Sequence, residues 1–123
     1  MLASALSKPP QIQPYAPPSS LWTDLKVLYY MLFANVQGDT QQQRLESFYL
    51  LQADLYDSYR HRMLHGRLPM IKAMPVTRGG TWVDLGGGTG SNLEYFGEQG
   101  LRYWGKVVVL DLCPSLVRTA QAR

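Results

Sequence analysis

The residues best suited to chemistry in this chain are glycines and carboxylates that follow two apolar, β-prone runs. Gly86, Gly88 and Gly90 come directly after the run TWVDL, whose Asp84 lies two residues before the first glycine. Asp111 directly follows the second run, KVVVL. Glycines after a strand permit a tight turn and let the backbone approach a ligand closely. The pattern therefore predicts a ligand-binding loop between a strand and a helix.

The spacing of these glycines restricts the class of ligand. A dinucleotide-binding loop has the pattern G-x-G-x-x-G. Counted from Gly86 and Gly88, its third glycine would fall at Ser91. A nicotinamide cofactor is therefore disfavoured, although it stays open. The chain contains no G-x-x-x-x-G-K-[ST] sequence, which excludes a nucleoside-triphosphate loop of that type.

The two carboxylates favour S-adenosylmethionine. A carboxylate within a strand, such as Asp84, is costly to bury unless it accepts hydrogen bonds or faces a cation. S-adenosylmethionine offers an ammonium group and a nearby sulfonium. Asp111 lies where open α/β sheets bind ligands, and a carboxylate there accepts hydrogen bonds from ribose hydroxyls. The simpler alternatives are a plain turn with a helix cap for Asp84 and the glycines, and a surface acid or cap for Asp111. We expect the loop residues Asp84, Gly86, Gly87, Gly88, Gly90 and Asp111 to bind this cofactor.

The elements that must position this loop form an α/β pattern. Thr81–Leu85 and Lys106–Leu110 are predicted strands, with a helix over 91–99 between them and another opening at Cys113-Pro114-Ser115. The continuous β-branched run of the second strand is typical of a parallel strand covered on both faces. The order strand, helix, strand, helix indicates a parallel α/β sheet.

The region before the strands is predicted to be helical. Ser20 caps a helix that runs to about Val36, before Gly38. Its apolar face consists of Leu21, Leu25, Leu28, Tyr29, Leu32 and Val36. A capping box formed by Thr40 and Gln43 opens a second helix, which runs to about residue 64 and stops at Gly66. We therefore expect a flexible, proline-rich tail over 1–20, an N-terminal helical region over 21–78 and the start of the cofactor-binding α/β domain over 79–123. Pro69 and Pro75 mark a connecting segment, and Gly79-Gly80 a turn.

Three residues on the second helix are candidates for the cofactor pocket. Tyr49, Tyr56 and Arg60 are seven and four residues apart, so that they share one helical face. A tyrosine hydroxyl and a guanidinium suit a carboxylate such as that of the methionine group. In the alternative interpretation the tyrosines are core residues, and Arg60 pairs with Asp57 or Asp54. No catalytic residue is named, because a sulfonium is already activated and methyl transfer requires mainly positioning.

Other reactive side chains are assigned structural roles. His61 and His65 have a spacing that suits a metal, but no third ligand is evident and the neighbouring arginines repel a cation, so no metal is expected. Cys113 is interpreted as structural rather than as a reactive thiol at a helix N-terminus, because no base lies near it in sequence.

Composition limits the partners. The net charge of +3 is too small to indicate nucleic acid. Residues 58–83 contain no acid and several arginines, which leaves peripheral contact with a membrane open.

Lys8, Pro9 and Pro10 interrupt the first apolar run, so that no signal peptide is predicted. The longest apolar stretch, 27–36, is about half the ~20 residues that a transmembrane helix needs.

The motif VDLGGGTG followed by VVLDLCPSL resembles the first two motifs of class I methyltransferases. More narrowly, RLESFYLLQADLYDSYRHRMLHGR with TWVDLGGGTGSNLEYF resembles the methyltransferase half of betaine lipid synthase. The resemblance implies a Rossmann-like fold and N-methylation of the amine of diacylglyceryl-homoserine. It further implies a lipid or small-molecule acceptor, a fused or paired aminocarboxypropyl transferase, and a place on the cytoplasmic side of the endoplasmic reticulum. Cys113 and Ser91 depart from the residues usual in such loops.

Two strands do not complete such a sheet, because its edges need partners and its faces need helices. We therefore expect the fold to be truncated after the second parallel strand, and the chain expressed alone to transfer no methyl groups. Two other functions stay open. One is a class I methyltransferase with another acceptor, and the other is a non-catalytic remnant that binds cofactor or pairs with a larger protein.

Overall fold

The computed structural model describes residues 9–123 and contains a two-stranded parallel sheet. Strand β1 is Thr81–Leu85 and strand β2 is Lys106–Leu110, and Thr81 pairs with Lys106 at one end of the register. The mixed helix–strand organisation and the parallel pairing predicted from sequence are confirmed. The predicted absence of a signal peptide concerns residues that lie largely outside the described part.

The sheet is covered on one face. Trp82 of β1 is buried, whereas Val83 is 50% exposed and Leu85 is 77% exposed. Successive side chains of a strand point to opposite faces, so the described helices cover the face that carries Trp82. The central valines of β2 are only partly buried. The run KVVVL is of the type found in strands covered on both faces, and its incomplete burial here fits the expected incomplete sheet.

An aromatic cluster forms the core beneath the covered face. Trp82 contacts Phe96 and Trp104 edge to face, with ring centroids 4.8 and 5.6 Å apart. Ile12 and Tyr15 pack against the same cluster, and the backbone N–H between them, at Gln13, donates to the carbonyl of Tyr95 at 3.0 Å. This part of the predicted tail therefore packs against the α/β region.

Helix α1 spans Leu21–Phe33, and Ser20 caps it as predicted, by accepting the backbone N–H of Thr23 at 3.1 Å. Its apolar face is not part of the core of the described residues. All six members of that face are exposed, among them Leu21 at 78% and Leu32 at 75%. The opposite side of the helix packs instead, because Val27 is fully buried and Asp24 forms an ion pair with Arg62.

The predicted helix from residue 41 to 64 is two helices, α2 over Gln41–Tyr49 and α3 over Tyr56–Met63. The capping box of Thr40 and Gln43 is confirmed at the start of α2. The break has a local cause at Gln52. Its buried side-chain amide donates to the carbonyl of Phe48 at 2.8 Å, which is the acceptor that its own backbone N–H would use in a continuous helix. That N–H bonds to Tyr49 instead, and the chain turns.

Helix α4, Arg67–Ala73, occupies part of the segment that we predicted as a connection. Gly66 is left-handed as predicted, with φ of 88°, but it begins α4 rather than ending α3, which stops at Met63 with Leu64 as its cap. Pro69 lies in the first turn of α4, where its missing donor is not needed.

The second half of the chain follows the predicted order with one change. A 3-10 helix, Ser91–Phe96, and helix α5, Gly97–Tyr103, replace the single helix predicted between the strands. Helix α6 is Pro114–Gln121, with Pro114 in its first turn as predicted. Among the described residues, no helix combines the length and apolar character needed to cross a bilayer.

Candidate functional site

A cleft of about 520 Å³ lies at the carboxyl ends of the two strands, between the glycine loop and helices α2, α3 and α4. A cleft of this volume suits a small ligand. Eight of the nine predicted site residues line it, namely Asp84, Gly86, Gly87, Gly88, Asp111, Tyr49, Tyr56 and Arg60. The structure thus brings together groups from the glycine loop, from both strand ends and from two helices.

The glycine loop is held tightly against the strand ends. The backbone N–H groups of Gly86 and Gly87 both donate to the carbonyl of Leu110, at 2.7 and 3.1 Å. A Cβ at Gly87 would lie only 2.8 Å from the Cγ of Asp84, so a side chain there would displace that carboxylate. Gly86 has φ of 67° and no atom within 4 Å of a Cβ position, which leaves open space above the loop.

Gly90 is the predicted site residue that does not line the cleft. A Cβ built on it would lie 3.2 Å from the Cβ of Ala120, on helix α6. The third glycine of the motif therefore allows the loop to pack closely against a helix. This position was assigned to the cofactor from sequence, and its role in the structure is packing.

Asp84 is half-buried at the end of β1. One of its carboxylate oxygens accepts a hydrogen bond from the side-chain amide of Asn92 at 3.0 Å. Within residues 9–123, no cationic side chain lies within 4 Å of it. A partly buried carboxylate without a cation suits a positively charged ligand group.

Asp111 connects the glycine loop to the start of helix α6. One carboxylate oxygen accepts the N–H of Gly88 at 2.9 Å, and the other accepts the N–H of Cys113 at 2.8 Å. These contacts match the alternative in which Asp111 acts as a cap. Each carboxylate oxygen has a second lone pair, so both can still accept a ligand hydroxyl.

Tyr49 of α2 and Tyr56 and Arg60 of α3 form one cluster in the lining of the cleft. The two tyrosine rings meet edge to face with centroids 5.3 Å apart. The guanidinium of Arg60 donates to the hydroxyl of Tyr56 at 2.6 Å and lies over its ring at 4.9 Å. Burial, reinforced by Tyr49, raises the pKa of Tyr56, which keeps the phenol protonated.

Arg60 has no carboxylate partner among the described residues. The alternative pairing with Asp57 is wrong, because Asp57 pairs with Arg123 and accepts a hydrogen bond from the hydroxyl of Thr89. Asp54 forms no ion pair with Arg60 either. Burial alone would lower the pKa of Arg60, but its hydrogen bond to Tyr56 raises it, so the guanidinium stays charged. A charged fork with free donors suits a ligand carboxylate.

The residues predicted from sequence leave out five polar residues of the cleft, namely Asp57, Arg67, Thr89, Ser91 and Asn92. Arg67 belongs to the basic stretch noted in the sequence, and Asn92 directly follows the glycine loop, so both carried a weak signal. No sequence signal indicates Asp57, because its partner Thr89 lies 32 residues away.

Cys113 and the two histidines lie outside the cleft. Cys113 is 1% exposed, and burial together with the neighbouring carboxylate of Glu46 raises its pKa, which matches the structural interpretation. His61 contacts Tyr15 edge to face, with ring centroids 6.4 Å apart. In the part of the chain from residue 9 onward, no three potential metal ligands come together.

No protein-family profile matches the chain, and no curated protein or solved structure shows significant similarity to it.

Proposed function

We propose that this chain binds S-adenosylmethionine in the cleft and serves the methylation of an amine. One observation carries the proposal. Two carboxylates at the strand ends, Asp84 and Asp111, line the same cleft as the guanidinium of Arg60, which has no carboxylate partner among the described residues. This distribution of charge is complementary to a ligand that joins a nucleoside to a zwitterionic amino acid.

The residues of the cleft fit the parts of this cofactor. The open space above Gly86 accommodates a ligand that approaches the backbone closely. Asp84 would accept the ammonium group, and Asp111 the ribose hydroxyls, at the edge of the sheet where α/β proteins bind nucleotides. Arg60, with Tyr56 holding its guanidinium, would bind the methionine carboxylate.

When bound, the cofactor supplies a methyl group on a sulfonium, which needs no further activation. The chain's own contribution is to hold the cofactor in one orientation. Hydrogen bonds to the carbonyl of Leu110 and to Asp111 fix the loop, so little freedom is lost on binding. No general base is assigned.

The acceptor is proposed from the sequence resemblance to the methyltransferase half of betaine lipid synthase. On that basis the acceptor is the amine of diacylglyceryl-homoserine, and an aminocarboxypropyl transferase, fused or separate, supplies it. The reaction would take place on the cytoplasmic side of the endoplasmic reticulum, with the chain in peripheral contact with the membrane. A class I methyltransferase with another lipid or small acceptor is the alternative within the same chemistry.

Titration calorimetry tests the cofactor. We expect saturable binding of S-adenosylmethionine and S-adenosylhomocysteine, and none of NAD or ATP under the same conditions. Tighter binding of NAD than of S-adenosylhomocysteine would overturn the proposal in favour of an oxidoreductase.

A second assay tests the acceptor. The chain, alone and with an aminocarboxypropyl transferase, is given labelled S-adenosylmethionine and vesicles that contain diacylglyceryl-homoserine or phosphatidylethanolamine. Label in diacylglyceryl-homoserine, with none in phosphatidylethanolamine, supports the proposal that the homoserine lipid is the acceptor. No transfer by the chain alone is the expected result, because two strands do not complete the sheet. Cofactor binding with no transfer even beside the aminocarboxypropyl transferase would favour a non-catalytic cofactor-binding protein.

A further inference from the structure

A chain of hydrogen bonds crosses the floor of the cleft and ends on Asp84. Arg67, on α4, donates from Nε to the side-chain oxygen of Asn92 at 3.0 Å and from Nη2 to the hydroxyl of Ser91 at 2.7 Å. Asn92 in turn donates from Nδ2 to Oδ2 of Asp84 at 3.0 Å. All these contacts are partly buried, and Arg67, Ser91 and Asn92 are not among the residues predicted from sequence to bind the cofactor.

The direction of this chain follows from donor chemistry. A guanidinium only donates and an ionised carboxylate only accepts, so an amide between them must turn its oxygen to Arg67 and its NH₂ group to Asp84. The orientation of Asn92 is therefore determined by its two neighbours. An amide held in this way restrains Oδ2 of Asp84. The other oxygen, Oδ1, accepts no hydrogen bond from the described residues.

Gly87 leaves room for this carboxylate, because a Cβ there would lie 2.8 Å from the Cγ of Asp84 and 3.0 Å from its Oδ2. The carboxylate thus lies beside both Asn92 and the glycine loop, in the lining of the cleft. Charged groups bind a ligand more tightly when they are already oriented, since less side-chain freedom is lost on binding.

We infer that Asn92 is a positioning residue that, with Arg67, aims Oδ1 of Asp84 at the ammonium group of the ligand and so makes the cleft selective for an amino-acid end. The inference rests on the proposed function, because it takes the ligand to be an adenosyl amino acid. Asn92 itself contacts no part of the ammonium. It acts through Asp84.

The test compares two ligands that share the adenosyl thioether and differ in the amino-acid end. S-adenosylhomocysteine has an α-ammonium and a carboxylate, and 5′-methylthioadenosine has neither. We expect Asn92→Ala to weaken binding of S-adenosylhomocysteine at least about tenfold, the size of one charge-assisted hydrogen bond. Binding of 5′-methylthioadenosine should stay within about twofold, because its contacts are elsewhere.

Two further variants keep the result interpretable. Asn35→Ala removes the other asparagine of the chain, which is exposed and outside the cleft, and should leave both affinities unchanged. Asn92→Leu preserves side-chain size but neither accepts from Arg67 nor donates to Asp84, and it adds no charge that could itself attract the ammonium. It should bind S-adenosylhomocysteine more weakly while its affinity for 5′-methylthioadenosine is kept. This comparison tests the inference even if Asn92→Ala does not fold.

Each outcome decides a separate point. Equal losses for both ligands in Asn92→Leu, or no loss for either, would overturn the positioning role. Equal affinity of the unaltered chain for the two ligands would show that no amino-acid end is recognised, which also overturns it. If the unaltered chain binds neither ligand, the proposed function fails, and the inference fails with it.

Discussion

The carboxylate of Glu46 accepts the backbone N–H of Ser115 at 2.9 Å, and so one helix caps the start of another that lies 69 residues away. The same oxygen accepts the thiol hydrogen of Cys113 at 3.0 Å, and the second oxygen is 3.3 Å from the guanidinium of Arg118. Helix α6 begins directly after the segment that carries Asp111. Glu46 therefore fixes the end of strand β2 relative to the helix that carries Tyr49.

Glu46→Ala is expected to lower the free energy of unfolding by about 1–2 kcal/mol, the cost of losing a helix cap. Urea unfolding at neutral pH measures this effect. Glu98→Ala serves as a control, because Glu98 is exposed in the first turn of α5 and caps nothing. If Glu98→Ala lowers the free energy of unfolding as much as Glu46→Ala does, the capping role of Glu46 is contradicted.

The effect of Glu46 should depend on pH. Burial alone would raise its pKa, but hydrogen bonds from Cys113 and Ser115 outweigh burial and lower it. A carboxylate whose pKa is lower in the folded state contributes stability above its unfolded pKa and loses it as the pH falls through the folded value. The difference between the unaltered chain and Glu46→Gln should thus be constant at neutral pH and shrink in acid. A difference that grows in acid would show that the pKa is raised instead.

Arg60→Ala is expected to weaken binding of S-adenosylmethionine by about 10- to 100-fold, as a charged hydrogen bond to a carboxylate is lost. Arg62→Ala is the matched control, since it lies two residues away on the same helix but pairs with Asp24 outside the cleft. Calorimetry and thermal unfolding are measured on both variants. If Arg60→Ala lowers the melting temperature while affinity in the folded protein holds, the residue is structural.

Asp111→Ala is expected to reduce both affinity and stability, because Asp111 also holds the N–H groups of Gly88 and Cys113. Ligand pairs separate the two effects. The unaltered chain should bind 5′-methylthioadenosine roughly tenfold or more tightly than its 2′,3′-dideoxy analogue, because a charged hydrogen bond to the ribose is lost in the analogue. Asp111→Ala should bind the two ligands with equal affinity. A preference that survives in the variant would assign Asp111 to holding the loop only.

Cys113 is expected to resist alkylation in the folded protein at pH 8. Burial raises its pKa, and its thiol donates to Glu46, so little thiolate is present. The rate of reaction with iodoacetamide should be at least about tenfold lower than in denaturant, where the thiol titrates normally. Equal rates in both conditions would show an accessible, reactive thiol.

The sequence by itself determined the features that depend on near neighbours along the chain. The Ser20 cap, the Thr40–Gln43 capping box and the left-handed Gly66 each involve groups within a few residues, so local chemistry is sufficient to predict them. The two strands and their parallel pairing followed from the apolar runs and the segment between them. The grouping of Asp84, Gly86 and Asp111 at one edge of the sheet followed from that pairing.

Only the tertiary structure decided which side chains are buried and which groups meet across long separations. The sequence pattern continued a helix through Gln52, but burial of this side chain on the Phe48 carbonyl breaks it. Gly90 matches a cofactor motif, and only the position of Ala120 shows that it serves packing. The sequence offers Asp57 as a partner for Arg60, but in the structure Asp57 binds Thr89 and Arg123 instead. These outcomes depend on burial and on contacts between distant segments, which the periodicity of a single segment does not encode.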